Sequence, residues 1–284
     1  MSPLSLGFRN KDPSSRLPRH TSPDRTQEGT LTPQELEQIA VDASTEAAHV
    51  VAESLGRGRS VGTKSSPTDV VTDMDLEVET VIRRALLART PGASVTGEEH
   101  DAVIGHTPIG WVIDPIDGTV NFLYDLAAVA VSIAATIDGA VVAGAVADVV
   151  SGEIFSAAAG HGARCNGDYI RASSVVELAD ALVTTGFAYI AEHRAEEAKI
   201  FSRVLPKARD IRCFGSAALH LCWVSCGRVD AFYQRGLKEW DVAAGALIAF
   251  EAGALVESAT AENGDTVIAA SPGIFDPLRR LVIG

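Results

Sequence analysis

The sequence predicts a layered α/β fold whose first sheet is largely antiparallel and whose second half alternates strand and helix. Two turn signals and one alternation carry that expectation. Asp138-Gly139 and Ser151-Gly152 punctuate three apolar runs, Val129 to Ile137, Ala140 to Asp148 and Glu153 to Ala158, as hairpin turns do. From Ala181 onward, strand-like and helix-like segments succeed one another. With 284 residues and 46% hydrophobic content, the chain can bury a large core, as one large domain or two packed halves. The halves are expected at about 31–175 and 176–284.

Residues 1–30 read as a tail, because Pro, Ser, Arg and Asp dominate and no periodicity exists. They contain no continuous apolar segment, so export is not expected. Thr32-Pro33-Gln34-Glu35 is a capping box with Pro at the first helical position, opening a helix to about Leu55. A second helix is expected from about Asp75 to Arg89. Asp69, Asp73 and Glu77 suit its first turns, where the helix dipole favours acids. Ser94 to Thr96 and Gly110 to Ile113 are strands ahead of the hairpins, and Asn166-Gly167 marks a further turn.

In the second half, Ala181 to Gly186, Ile211 to Phe214, Val229 to Tyr233 and Thr266 to Ala270 are expected strands. Ala195 to Leu205, Ala217 to Cys226 and Asp241 to Glu251 are the helices between them, and a final helix ends the chain.

Three distant stretches bring carboxylates to expected turns: Gly97-Glu98-Glu99, Asp114-Pro115-Ile116-Asp117-Gly118-Thr119, and Trp240-Asp241. Mg²⁺ wants oxygen ligands, keeps several waters and takes few carboxylates, so these side chains suit two or more such ions. In the middle stretch an apolar run, Gly110 to Ile113, ends abruptly at Asp114. Pro115 removes a donor, so the chain should turn there and aim Asp114 and Asp117 at one point. Gly118 permits close backbone approach, and Thr119 stands where a helix would begin, with free N–H groups for a phosphate. An isolated Asp-Gly-Thr is usually a surface turn with a helix cap. The same turn following a buried strand and Asp-Pro-x, and leading into Asn121-Phe122, is much rarer.

The run Trp111-Val-Ile-Asp-Pro-Ile-Asp-Gly-Thr-Val-Asn-Phe122 resembles the first signature of the inositol monophosphatase family. Trp240-Asp241-Val-Ala-Ala-Gly-Ala-Leu-Ile-Ala-Phe-Glu-Ala-Gly253 resembles the second, and the likeness spans about 33 to 280. Actinobacterial-type members look most similar. The resemblance implies an αβαβα sandwich with a metal site between the halves, a homodimer, two to three Mg²⁺ ions and sensitivity to Li⁺. It implies that Glu98 ligates the first metal and orients the attacking water. Asp114 would bridge two metals, the Ile116 carbonyl would complete the first, and Asp117 and Asp241 would hold the second. Gly118 and Thr119 would give backbone N–H groups to the phosphate, and the Thr119 hydroxyl, paired with Asp75, would polarise the water. Lys64 matches a position near the mobile metal-site loop. Ser216, Ala217 and Gln234 would line the substrate pocket.

The implied activity is Mg²⁺-dependent hydrolysis of a small phosphate monoester, inositol 1-phosphate first. Inositol-specific members usually carry Glu where this chain has Gln234, and Gln accepts hydrogen bonds without a full charge. Histidinol phosphate and sugar bisphosphates are therefore alternatives. Nucleotide 3′-phosphatases tend to have Leu where Ile116 stands, which slightly disfavours them. A regulatory, partner-binding role is a further alternative. The chemistry needs no histidine base, since a bound metal lowers the pKa of its water. Accordingly His100 and His106 read as solvated loop residues, and Glu99 as a neighbour that could support Glu98.

Composition limits the partners. A net charge of −13, with 19 basic against 34 acidic side chains after residue 30, gives no basic stripe for nucleic acid. The longest apolar region, Leu126 to Val150, is interrupted by Asp138-Gly139 and Asp148, so no membrane span is expected. Four irregularly spaced cysteines, Cys165, Cys213, Cys222 and Cys226, suit free thiols in a reducing cytoplasm. Cys222 and Cys226 would share a helix face, but lack partners at zinc-ligand spacing.

Overall fold

A computed structural model describes residues 31–56, 61–63, 70–261 and 264–284. The first helix, α1 (Pro33–Ser54), starts as its capping box dictates: the Thr32 hydroxyl accepts the Glu35 N–H while the Glu35 carboxylate accepts the Thr32 N–H. Two short strands, β1 (Val61–Thr63) and β2 (Val70–Thr72), pair antiparallel and were not anticipated. Helix α2 (Asp73–Arg89) begins two residues earlier than expected, because Thr72 caps it and Asp75 closes a second capping box. Asp73 and Glu77 are exposed on it, as solvated helix charges should be; Asp69 and Lys64 lie outside the described residues.

The next strands are β3 (Ser94–Gly97), β4 (Ile109–Asp117), β5 (Ala130–Ile137), β6 (Ala140–Asp148), β7 (Ile154–Ala158), β8 (Ala163–Cys165) and β9 (Asp168–Tyr169), with α3 (Thr119–Leu123) between β4 and β5. They form one sheet in sequence order, antiparallel except for the β3–β4 pair. Asp138 and Gly139, and likewise Asn166 and Gly167, adopt positive φ, as tight hairpins require. One expectation changes: the strand does not stop at Asp114. Instead β4 continues to Asp117, with a register shift between Asp114 and Asp117 that absorbs Pro115.

The remaining elements are β10 (Leu182–Thr185), α4 (Ala191–Val204), β11 (Asp210–Arg212), α5 (Ala217–Ser225), β12 (Ala231–Arg235), α6 (Glu239–Glu251), β13 (Leu255–Ala261), β14 (Gly264–Ala270) and α7 (Pro272–Val282). Their strands form a mixed sheet ordered β11-β10-β12-β14-β13, parallel among the first three and antiparallel thereafter. Strand β13 escaped the sequence reading because it is an edge strand with weak apolar content. Helix α6 starts at Glu239, which makes Asp241 its third residue.

Period-two side-chain alternation explains the layering. On β4 and β5, Trp111, Ile113, Val131, Ile133 and Ala135 pack with Leu36, Ile39, Val78 and Ile82 of α1 and α2. Their opposite-facing neighbours Val112, Ala130 and Ala134 pack with Ala218, Leu219, Ala244 and Leu247 of α5 and α6. On β14, Val267 and Ala269 face α5 and α6, whereas Ile268 and Ala270 face α4 and α7. The order is therefore helices α1/α2, first sheet, helices α5/α6, second sheet, helices α4/α7. This is the expected αβαβα sandwich. The central helices carry apolar residues all round because a sheet covers each side.

Close packing of that middle layer depends on two glycines. A Cβ on Gly144 of β6 would lie 3.0 Å from the Ala244 backbone, and one on Gly245 of α6 would lie 2.8 Å from Leu221. No helix among the described residues is long and apolar enough to cross a membrane. All four cysteines are free thiols.

Candidate active site

The site lies where β3, β4, α2, α5 and α6 end or begin. Extended β4 delivers Asp114 and Asp117, both buried, to the rim of the first sheet. Asp114 accepts the Ile116 N–H at 3.1 Å, an Asx-type turn that bends the chain past Pro115. Gly118 then adopts φ of 97°, and a Cβ there would sit 2.7 Å from the Ala128 carbonyl. Only glycine meets both demands without strain. Thr119 follows as the first residue of α3, as expected, and its hydroxyl lies 3.1 Å from the Ile116 carbonyl and 3.2 Å from Asp75 Oδ1.

Asp75 arrives from the first turn of α2 and is fully buried. Its Oδ2 accepts the Thr72 N–H at 2.8 Å and the Thr72 hydroxyl, leaving Oδ1 turned to Thr119. A helix-capping carboxylate thus reaches a second element 44 residues away. The capping box alone would have explained Asp75 as a local feature.

Asp117 is held from the other half of the molecule. Its Oδ2 accepts the Ser216 hydroxyl at 2.5 Å and the Ala218 N–H at 2.8 Å, and its Oδ1 the Ala217 N–H at 3.3 Å. The donors are the cap and first turn of α5, where free N–H groups favour an anion. Ser216, expected to line the substrate pocket, stands at this contact. Ser216 is 1% exposed, and its hydroxyl is committed to Asp117 as donor and to the Leu219 N–H as acceptor. Ala217 is buried beside it and contributes backbone.

Asp241 enters from the first turn of α6 and accepts the Lys238 N–H at 2.6 Å. The same helix start is fixed to the first sheet by the Ser132 hydroxyl, which donates to the Trp240 carbonyl at 3.3 Å. Ser132 is the β5 partner of Asp114, so both signatures meet at one place. Glu98 follows the end of β3, partly exposed.

Electrostatics shows how near these acids stand. Burial holds the Asp114 carboxyl well above the usual range, and the charges of Glu98, Asp117, Asp241 and Asp75 add to it. Asp117 is pushed up to about 6 by burial, against the pull of the Ser216 hydroxyl and the Ala218 and Ala217 N–H groups. Asp241 is raised well above its ordinary value, first by burial and then by Asp117 and Glu98, although the Lys238 N–H opposes this. Asp241 keeps some exposed surface, so the protein crowded around it, rather than full occlusion, is the source of that desolvation.

Such a group of mutually repelling, oxygen-only donors is what a hard divalent cation would relieve. Among the described residues, no three His, Cys, Asp or Glu side chains close on one point as a finished cage. Mg²⁺ does not require one, because it keeps several waters and takes one or two carboxylates per ion. The donor set fits it.

Gln234 stands on β12, where its side chain occupies the space beside Gly186 that any Cβ would fill. Sequence reasoning assigned no role to Asn121 beyond its place in the motif. Its side-chain N–H groups donate to the Ala128 carbonyl at 2.9 Å and the Phe214 carbonyl at 2.6 Å, fastening α3 to the loop before α5. Thr72 was missed as well, although the capping-box spacing of Thr72 and Asp75 is a signal that could have found it.

Comparison with known proteins agrees with this architecture. A profile of the inositol monophosphatase family matches residues 32–280. An inositol-1-monophosphatase of Mycobacterium leprae is 46% identical over 269 residues, covering 87% of this chain and 92% of that protein. The crystal structure of the extragenic suppressor protein suhB from Bartonella henselae superposes with a TM-score of 0.82 at 31% identity, covering 87% of this chain and 98% of that one. Nus factor SuhB of Vibrio cholerae is 37% identical over 221 residues, covering 77% of this chain and 83% of its own length. The chain is a phosphatase by this kinship, and it belongs to the inositol monophosphatase family.

Proposed function

We infer that the chain hydrolyses a small phosphate monoester in a Mg²⁺-dependent reaction, with inositol 1-phosphate as its first substrate. The observation that carries this reading is the convergence of buried Asp114, Asp117 and Asp75 with Asp241 and Glu98, whose charges raise Asp114 further. Glu98, Asp114, the Ile116 carbonyl, Asp117 and Asp241 would hold two to three ions. Bound Mg²⁺ would neutralise phosphoryl charge and lower the pKa of a coordinated water.

The chain's own groups do the rest. Thr119 Oγ1, hydrogen-bonded to Asp75 Oδ1, is placed to accept a proton from the attacking water while passing its own toward Asp75. Burial keeps competing water from Asp75, so its orientation is set by Thr72 and Thr119. The Gly118 and Thr119 N–H groups stand at the start of α3 and would hold the phosphate oxygens. Ser216 and Ala217 fix Asp117, and Asn121 fixes the turn against the second half. Gln234 would contact substrate hydroxyls without a full charge. Under this reading the protein acts in the cytoplasm, as a homodimer, and is inhibited by Li⁺.

Phosphate release from inositol 1-phosphate, histidinol phosphate, fructose 1,6-bisphosphate and adenosine 3′,5′-bisphosphate, each with Mg²⁺ and with EDTA, tests it. Turnover of the first that EDTA abolishes is expected. Turnover insensitive to EDTA would overturn the metal reading, and preference for another ester would move the substrate. A second, partner-binding role is favoured by one observation: the Vibrio cholerae relative is called a Nus factor. Asp114→Asn should abolish turnover, and a cellular phenotype of gene loss that this variant still rescues would establish the second role.

A further inference from the structure

We propose that Glu79 is a positioning residue that seats the Glu98 loop, so that helix α2 aligns both sides of the site at once. This rests on the phosphatase reading only for its effect on turnover; the seating is a matter of geometry. Glu79 stands four residues after Asp75 on α2, so the two share one face of the helix. Asp75 points to the Thr119 turn, and Glu79 points to the loop that follows β3.

Glu79 is fully buried, and its carboxylate is surrounded by donors from that loop. Oε2 accepts the Glu99 N–H at 2.7 Å, and Oε1 accepts the His100 N–H at 3.2 Å. Arg83, one turn further along the helix, donates through Nε to Oε1 at 2.7 Å and through its Nη2 to the His100 carbonyl at 3.1 Å. His100 Nδ1 lies 3.5 Å from Oε1. A buried carboxylate accepting backbone N–H groups in low dielectric forms strong, directional bonds. The pair with Arg83 supplies the countercharge that a buried acid needs.

Gly97 gives an independent sign of the same contact. A Cβ built there would lie 2.3 Å from Glu79 Oε1, so the carboxylate presses directly on the backbone before Glu98. Glu79 therefore grips the chain on both sides of Glu98, at Gly97 and at Glu99-His100. Glycine in Gly97-Glu98-Glu99 answers to a side chain on α2 and to no turn of its own. His100 is an exposed loop residue, as expected, and its backbone N–H and carbonyl are what join this seat.

The test uses Glu79→Gln, which keeps the volume and removes the charge, on the full chain. Three readouts are taken: amide hydrogen exchange across residues 97–100 without metal, the affinity for Mg²⁺ alone by calorimetry, and kcat and KM on the best substrate of the wild type. The expected result is an unchanged circular dichroism spectrum, faster exchange at Glu99 and His100, and about a tenfold or greater loss of Mg²⁺ affinity. A kcat lower by about 100-fold with KM little changed would accompany it, since displacing a group by an ångström has such an effect. Exchange and Mg²⁺ affinity both equal to wild type would overturn the proposal. Should Glu79→Gln fail to fold, Glu79→Asp, which keeps the charge but shortens the reach to the Glu99 and His100 N–H groups, is read by the same measurements, and retained protection at both amides with wild-type Mg²⁺ affinity overturns it. A wild-type protein that neither binds Mg²⁺ nor turns over any ester would sink the phosphatase reading, while the exchange data would still decide the seating of the loop.

Discussion

Replacing Ser216 with alanine should weaken the protein and its metal site together. The hydroxyl donates to Asp117 and accepts from the Leu219 N–H, so one deletion removes a helix cap and a charge-assisted hydrogen bond. A lost cap costs about 0.5–2 kcal/mol and a lost bond to a charged group about 1.5–3 kcal/mol. Asp117 retains the Ala217 and Ala218 N–H groups, which places the net loss near the low end, about 2 kcal/mol. For a chain of this size that is roughly 4–8 °C in Tm. If Asp117 holds Mg²⁺ as proposed, the freed carboxylate should also lower Mg²⁺ affinity by about tenfold or more, as loss of a ligand's supporting hydrogen bond commonly does. Thermal melts and the Mg²⁺ concentration at half-maximal turnover measure the two effects, with Ser216→Thr as the variant that restores both. A lower Tm with unchanged Mg²⁺ dependence would confine Ser216 to capping α5. No change in either would refute the reasoning altogether.

Other changes separate chemistry from packing. Asp75→Asn should lower kcat by about 10² to 10⁴-fold, the range of a lost proton-transfer partner, as initial rates at saturating Mg²⁺ would show. Gly245→Ala should cost about 1–3 kcal/mol by overpacking against Leu221, seen in urea unfolding, while kcat at low temperature stays as in wild type. His220 is pushed down to about 3 by burial, so it stays neutral in the folded protein while it protonates in the unfolded chain. The unfolded state then binds more protons between about pH 6.5 and 3, so stability is lost as pH is lowered through that window, by up to about 1.4 kcal/mol per unit. His220→Gln, which can still accept the Phe214 N–H, should flatten the pH dependence of unfolding relative to wild type.

Much of this was legible because it is local. A capping box specifies its own start, and both Asp138-Gly139 and Asn166-Gly167 take the positive φ that a tight hairpin needs. The passage of β4 through Pro115 to Asp117 was not legible, because Pro115 forbids a ladder hydrogen bond and only pairing with β5 across a register shift carries the strand on. Strand β13 was missed for a similar reason, since its β14 partner, rather than its own apolar content, makes it a strand. In the sequence Glu99 and His100 stand out by their side chains, whereas it is their backbone N–H groups that Glu79 holds.

By itself the sequence determined the order of the main elements, though not β1, β2 or β13, the alternation that buries each sheet on both faces, and the identity of the acidic residues. Those properties depend on spacings of a few residues, which folding does not alter. Only the tertiary structure decided which acid is held by what. Ser216 meets Asp117 across 99 residues, Asn121 meets Phe214 across 93, and Thr119 meets Asp75 across 44. Glu79 reaches Glu99 across 20. No local preference fixes such pairs; they arise because burying both faces of two sheets leaves one arrangement in which each buried carboxylate finds its donors.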